Sequence, residues 1–221
     1  MKGGSVIIPS FAVERVQTMM YLIWQLKKEN RIPDIPFIID TPMGISVLDV
    51  FQSNRLWHKL SVEEGIEMQK IFTLVSDYQE SMSIVYSKNP KVVIAASGML
   101  TGGRVLSYLE QTITKAENTI LLVGYQAEGT RGRKLLEGAN EIKIHGKYYP
   151  VHANIMLLEN LSAHADQNGL VEWLSDLEQP PQKVFLIHGE NQAADDLRLK
   201  IKERYNYECK IPFLGQILEI K

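Results

Sequence analysis

Short β-branched runs alternate along this chain with stretches whose apolar residues recur every three or four positions. Residues 5–9 (Ser-Val-Ile-Ile-Pro) predict a buried strand, and Val13, Val16, Met20 and Ile23 behind it mark one face of a helix. Residues 37–39 (Phe-Ile-Ile) predict a second strand, closed by Asp40-Thr41-Pro42-Met43-Gly44 ahead of a helical stretch reaching about Phe51. Residues 53–90 are mixed and polar and predict helices of a cap or connector. A third strand covers 91–95, followed by the turn Ser97-Gly98-Met99-Leu100-Thr101-Gly102-Gly103 and a helix from Arg104. Residues 119–123 predict a fourth strand, followed by a polar turn at 124–130 and a basic helix start, Arg131-Gly132-Arg133-Lys134. Two extended runs within 141–159, around His145-Gly146-Lys147, predict an antiparallel hairpin. Beyond it come a loop at 162–166, a helix to about Leu177 and a break at Pro180-Pro181. A strand at 183–187, the turn His188-Gly189-Glu190, a helix over about 192–205 and a strand pair ending at Ile220 complete the pattern.

Strands alternating with helices imply an α/β fold with a largely parallel sheet, and such sheets bind ligands at the carboxyl ends of their strands. The polar turns of this sequence fall at those ends. At 221 residues the chain has room for one large domain or two small ones. With 45% hydrophobic and 23% charged residues it has an ordinary globular composition. No apolar run reaches the roughly 18 residues of a membrane span. The single cysteine, Cys209, excludes an internal disulfide framework and any zinc site built from several cysteines. With no secretory signal at the N-terminus, the expected compartment is the cytoplasm.

A net charge of −2 argues against coating nucleic acid by bulk charge. The charge is uneven, however: residues 1–150 carry 17 basic and 15 acidic side chains, and residues 151–221 carry 7 and 11. Any anion-binding surface is therefore expected in the first 150 residues.

Two turns carry candidate chemistry there. Gly98, Gly102 and Gly103 would let the backbone approach a phosphate at a helix N-terminus, with Arg104 as a bidentate donor. The spacing is neither a Walker A loop nor a dinucleotide fingerprint, and a plain tight turn also accounts for it. Gly129-Thr130-Arg131-Gly132-Arg133 is a second such turn, whose cations oppose the helix dipole and would welcome an anion. Among the five histidines, His58, His145 and His152 read as structural. His164 and His188 each sit in a small-residue loop that opens a helix, a setting that suits a metal ligand or proton donor.

Ser162-Ala163-His164-Ala165-Asp166, followed after a helix by an apolar strand ending in His188-Gly189-Glu190, resembles the β-CASP branch of the metallo-β-lactamase fold. That branch includes RNA-processing nucleases such as the pre-mRNA 3′-end cleavage factor and its prokaryotic relatives. Residues 3–12, the Asp40-Thr41-Pro42-Met43 turn, residues 96–103 and residues 124–130 are similar to further signatures of the family, in the same order.

The resemblance implies a three-layer α/β/α β-CASP domain over residues 3–155. It assigns residues 156–221 to the C-terminal segment of a metallo-β-lactamase domain whose N-terminal part is missing. It implies two zinc ions in the full-length protein, with His188 as a zinc ligand. His164 would act at the scissile phosphate or protonate the leaving oxygen. Ser10, Ser97, Gly98, Gly102, Gly103, Arg104 and Ser162 would hold RNA. Histidine at position 188 fits the RNA-directed members of the family.

The family's H-x-H-x-D-H motif, its later histidine and aspartate ligands and an acidic residue expected upstream of Gly3 are all absent. The expectation is therefore the C-terminal portion of a zinc-dependent ribonuclease, with Met1-Lys2 an artificial or secondary start and the chain inactive alone. An RNA- or nucleotide-binding module and a catalytically inactive partner subunit are the alternatives, and retention of His164 and His188 weighs against the latter. A sheet lacking its other strands would also expose apolar surface in the last segment and invite a homodimer.

Overall fold

A computed structural model describes residues 3–219. The reading of Met1-Lys2 as a secondary start and the expected end of the last strand pair at Ile220 lie outside those residues.

Six parallel strands form the central sheet: β1 (Val6–Pro9), β2 (Phe37–Asp40), β3 (Phe72–Leu74), β4 (Val92–Ala95), β5 (Thr119–Leu122) and β8 (Asn154–Leu157), in the order β3-β2-β4-β1-β5-β8. Two further strands, β6 (Glu141–Ile144) and β7 (Lys147–Pro150), pair antiparallel as a separate hairpin. The central strands are apolar on both faces because both faces are covered. Ile7, Ile38, Val93 and Ile120 pack with residues of α4 (Tyr78–Tyr86), α5 (Val105–Thr112), α6 (Arg131–Leu136) and the hairpin. Ile8, Ile39 and Ile94 pack with α1 (Arg15–Lys28), α2 (Pro42–Ser53) and α3 (Val62–Lys70). The three-layer α/β/α expectation is met.

Local chemistry sets the helix starts. Thr41 Oγ1 accepts from the Gly44 amide, and Pro42 at the first helical position needs no donor. Ser61 and Glu64 form a reciprocal capping box on α3, and Asp77 caps α4. The stretch 53–90, whose mixed polarity predicts helices of a cap or connector, holds these two helices and also the edge strand β3. Three residues are too few to show a periodicity, so β3 was invisible in sequence.

Chain contacts divide the protein into two compact units, the first ending at Ser162 and the second starting at Ala163. The boundary expected between residues 155 and 156 would cut through β8. That strand pairs with β5 over Thr119↔Asn154 to Leu122↔Leu157, so it belongs with the first unit. The second extended run expected in the hairpin is thus split between β7 and β8.

In the second unit, α7 (Gln167–Trp173) and α8 (Asn191–Tyr205) pack on a two-stranded parallel sheet of β9 (Val184–Phe185) and β10 (Cys209–Lys210). Val171, Leu174 and Ile201 form its small core with Val184 and Leu186. Strand alternation turns Ile187 to the other side, where it is exposed, as are Phe213, Leu214 and Ile217.

Candidate RNA-facing rim of the parallel sheet

The order of strands marks where a ligand can enter the first unit. From β1 the chain passes through α1 to β2 on one side, and from β4 it passes through α5 to β5 on the other. β1 and β4 are neighbours whose following helices lie on opposite faces of the sheet, and the carboxyl ends at such a reversal are where α/β sheets take ligands. The loops at this rim are 10–14 and 96–104, joined by 124–130 after β5.

Loop 96–104 is tightly organised. A cis peptide joins Ala96 and Ser97, and Leu100 and Gly103 have positive φ. Ser97 Oγ accepts from the amides of Thr101 (3.1 Å) and Gly102 (3.3 Å). A Cβ at Gly103 would fall 2.4 Å from the Ala96 carbonyl oxygen, so only glycine fits there. At Gly98 a Cβ would lie 2.9 Å from two ring carbons of Phe11, so the loops after β1 and β4 touch through this glycine.

Two arginines brace the loop from opposite sides. Arg131 donates through Nη1 to the Leu100 carbonyl (2.9 Å) and through Nε to that of Lys143 (2.5 Å). Arg104 points inward instead. Its Nη1 meets Asp40 Oδ1 at 2.6 Å and the Val75 carbonyl at 3.2 Å, and its Nη2 donates to the Ser76 carbonyl at 2.7 Å. Asp40 is fully buried and also accepts from Ser81 Oγ (2.5 Å) and Tyr108 Oη (2.6 Å). Burial, followed by the Asp40 carboxylate, pushes the Tyr108 phenol well above its ordinary pKa, so it stays a donor. This network ties together the segments after β2, β3 and β4.

Gln126 joins the loops after β4 and β5, donating from Nε2 to the Gly98 (3.0 Å) and Gly124 (3.1 Å) carbonyls. Its Oε1 is buried without a hydrogen-bond partner and packs on Gly132, where a Cβ would fall 1.6 Å from it.

Of the residues expected to hold RNA, Ser10, Ser97, Gly98, Gly102, Gly103 and Arg104 are gathered at this one rim. Ser10 is buried and its hydroxyl donates to the Phe11 carbonyl. Ser97 Oγ is engaged within its own loop, and Arg104 is committed to Asp40. Ser162 ends the first unit and is exposed. Arg15 donates to the carbonyl of Leu161 and so fixes the exit from that unit.

His164 and His188 belong to the second unit, and both are exposed. His188 has a φ of 67°, and Asp166 is used as the cap of α7, accepting from the Gly169 amide at 2.7 Å. No group of three or more His, Cys, Asp or Glu side chains able to hold a metal occurs among the described residues. The described residues therefore do not form a zinc site by themselves. The other histidines have structural contacts: His58 stacks on Phe51, His145 meets Glu110 and His152 meets the Thr114 carbonyl.

Sequence reasoning missed Asp40 and Tyr108 as partners of Arg104, because nothing in spacing shows which way an arginine turns. The Asp-Thr-Pro-Met turn was singled out, but not the carboxylate's burial.

Residues 16–135 match the Beta-Casp domain family, more than half of the chain. The chain belongs to the β-CASP family. Residues 148–212 match a second family, described as a Zn-dependent metallo-hydrolase RNA specificity domain. An RNase J-like protein of Methanocaldococcus jannaschii is 32% identical over 218 residues, covering 99% of this chain and 51% of that protein. A ribonuclease of Thermus thermophilus is 32% identical, covering 86% of this chain and 44% of its own length. Transcription termination factor FttA of Methanothermobacter thermautotrophicus is 30% identical, covering 100% and 36%. This β-CASP chain thus spans about half the length, or less, of the curated relatives it matches. No helix among its described residues is long and apolar enough to cross a membrane.

Proposed function

We propose that this chain is the RNA-holding portion of a zinc-dependent ribonuclease acting in RNA processing or decay, and that it does not cleave RNA alone. The observation that carries this reading is the meeting of signature loops 10–14 and 96–104 at the carboxyl ends of the neighbouring strands β1 and β4, where Phe11 packs on Gly98. The relatives named ribonucleases support the substrate class. Residues 3–155, extended by β8 and its exit to Ser162, would be the β-CASP lid, and the rest the last segment of the metal-binding domain.

In that protein, His188 would complete the zinc centre and His164 would meet the scissile phosphate or the leaving oxygen. The loop residues Ser97, Gly98, Gly102 and Gly103, with Ser162, would line the RNA path, while Ser10 and Arg104 shape it from beneath. The partner needed for chemistry is an N-terminal metallo-β-lactamase domain. The exposed Ile187, Phe213, Leu214 and Ile217 fit a face made to be covered by it, or by a second copy when it is absent. A lone cysteine and an RNA substrate fit the cytoplasm.

The test is fluorescence anisotropy of the chain with labelled single-stranded RNA at several salt concentrations. Binding that weakens as salt rises supports the reading, and no binding at low salt overturns it.

A further inference from the structure

Two aromatic rings stand exposed at the rim, where a soluble protein gains nothing by showing them. Phe11, directly after β1, is 47% exposed, and Tyr125, directly after β5, is 60% exposed. β1 and β5 are adjacent strands. The Phe11 ring rests against Gly98, and the carbonyl of Gly98 is held by Gln126, the residue after Tyr125. The ring is thus seated on a braced loop, so little side-chain freedom would be lost when a flat partner stacks on it.

Arg133 donates to the Gln126 carbonyl (3.1 Å) and pairs with Glu137 (2.9 Å), which ties α6 to the same loop. An exposed ring held on a braced loop answers to a strand that presents unpaired flat bases.

We propose that Phe11, backed by Gly98, is a stacking platform for unpaired bases of RNA. This rests on the RNA-holding reading above and adds what that reading lacks, a reason to prefer single strands. Stacking on a ring is indifferent to base identity, so the platform selects unpaired bases without reading sequence. Gly98 gains a second role: its missing side chain seats the ring.

The test compares two labelled probes on the full 221-residue chain. One is oligoadenylate of about 16 nucleotides. The other is an abasic ribose-phosphate strand of the same length. Phe11→Leu is expected to weaken oligoadenylate binding about tenfold and leave the abasic strand unchanged, and Phe11→Trp is expected to restore binding. If Phe11→Leu moves both probes alike, or neither, the stacking proposal is overturned while the RNA reading stands. The latter result would assign the ring to a protein contact. If the unaltered chain binds neither probe, the RNA reading itself fails and takes the platform with it.

Discussion

Replacing Arg104 by methionine separates the two roles this residue could have. In the structure its guanidinium faces Asp40, whose side chain is wholly out of water while that of Arg104 is 19% exposed. At an effective dielectric near 20, opposite charges about 4 Å apart attract by about 4 kcal/mol. Removing one partner of a buried pair commonly costs about 3–5 kcal/mol, because the other charge is stranded. Ser81 and Tyr108 still donate to Asp40, so the loss should fall near the lower end, about 3 kcal/mol. With a urea slope of about 2 kcal/mol/M, the unfolding midpoint would drop by about 1.5 M. Trp24 lies in the first unit's core while Trp57 and Trp173 are exposed, so tryptophan fluorescence follows that unit. Adding Asp40→Asn to Arg104→Met should recover about 1–2 kcal/mol, since the stranded charge is gone. The reasoning is refuted if Arg104→Met leaves the midpoint within about 0.3 M of the parent while RNA affinity collapses. That result would make Arg104 an RNA ligand, as the sequence alone suggests.

Other consequences follow from local geometry. Glu14 has a φ of 62° and a ψ of −49°, with Arg15 N bonded to the Val13 carbonyl at 2.7 Å, a tight three-residue turn unkind to any side chain. Glu14→Gly should therefore stabilise the first unit by about 1 kcal/mol in urea unfolding, and a loss of stability would contradict the strain. Gly103→Ala should cost more than about 2 kcal/mol, since it combines positive φ with a clash on Ala96, and a neutral result by the same assay would count against the loop geometry. Burial, with Lys115 nearby, lowers the Lys91 pKa below 10.5, so the unfolded chain binds the extra proton between the lowered value and 10.5. Stability should thus rise with pH across that window in the parent and stay flat there in Lys91→Met; identical pH profiles would dismiss the effect.

Much of this architecture could be read from the residues because parallel strands buried on both faces are short apolar runs, as at residues 5–9, 37–39, 91–95 and 119–123. The glycines of loop 96–104 marked the rim for a similar reason: a tight strand-to-helix turn needs them. What escaped was direction and partnership. Arg104 next to two glycines looks identical whether it reaches outward to phosphate or inward to Asp40, 64 residues away in sequence. The extent of β8 on either side of residue 155 could not be read because its sheet partner, β5, lies far upstream. Phe11 and Tyr125 passed unremarked inside signature stretches, since exposure is a property of the fold and not of spacing.

The central proposal is that the chain holds RNA and does not cleave it alone. Labelled single-stranded RNA incubated with the pure chain and saturating zinc, then run on both native and denaturing gels, tests that directly. The expected result is a shifted complex whose RNA is recovered intact. Zinc-dependent turnover of the RNA by the pure chain would contradict it.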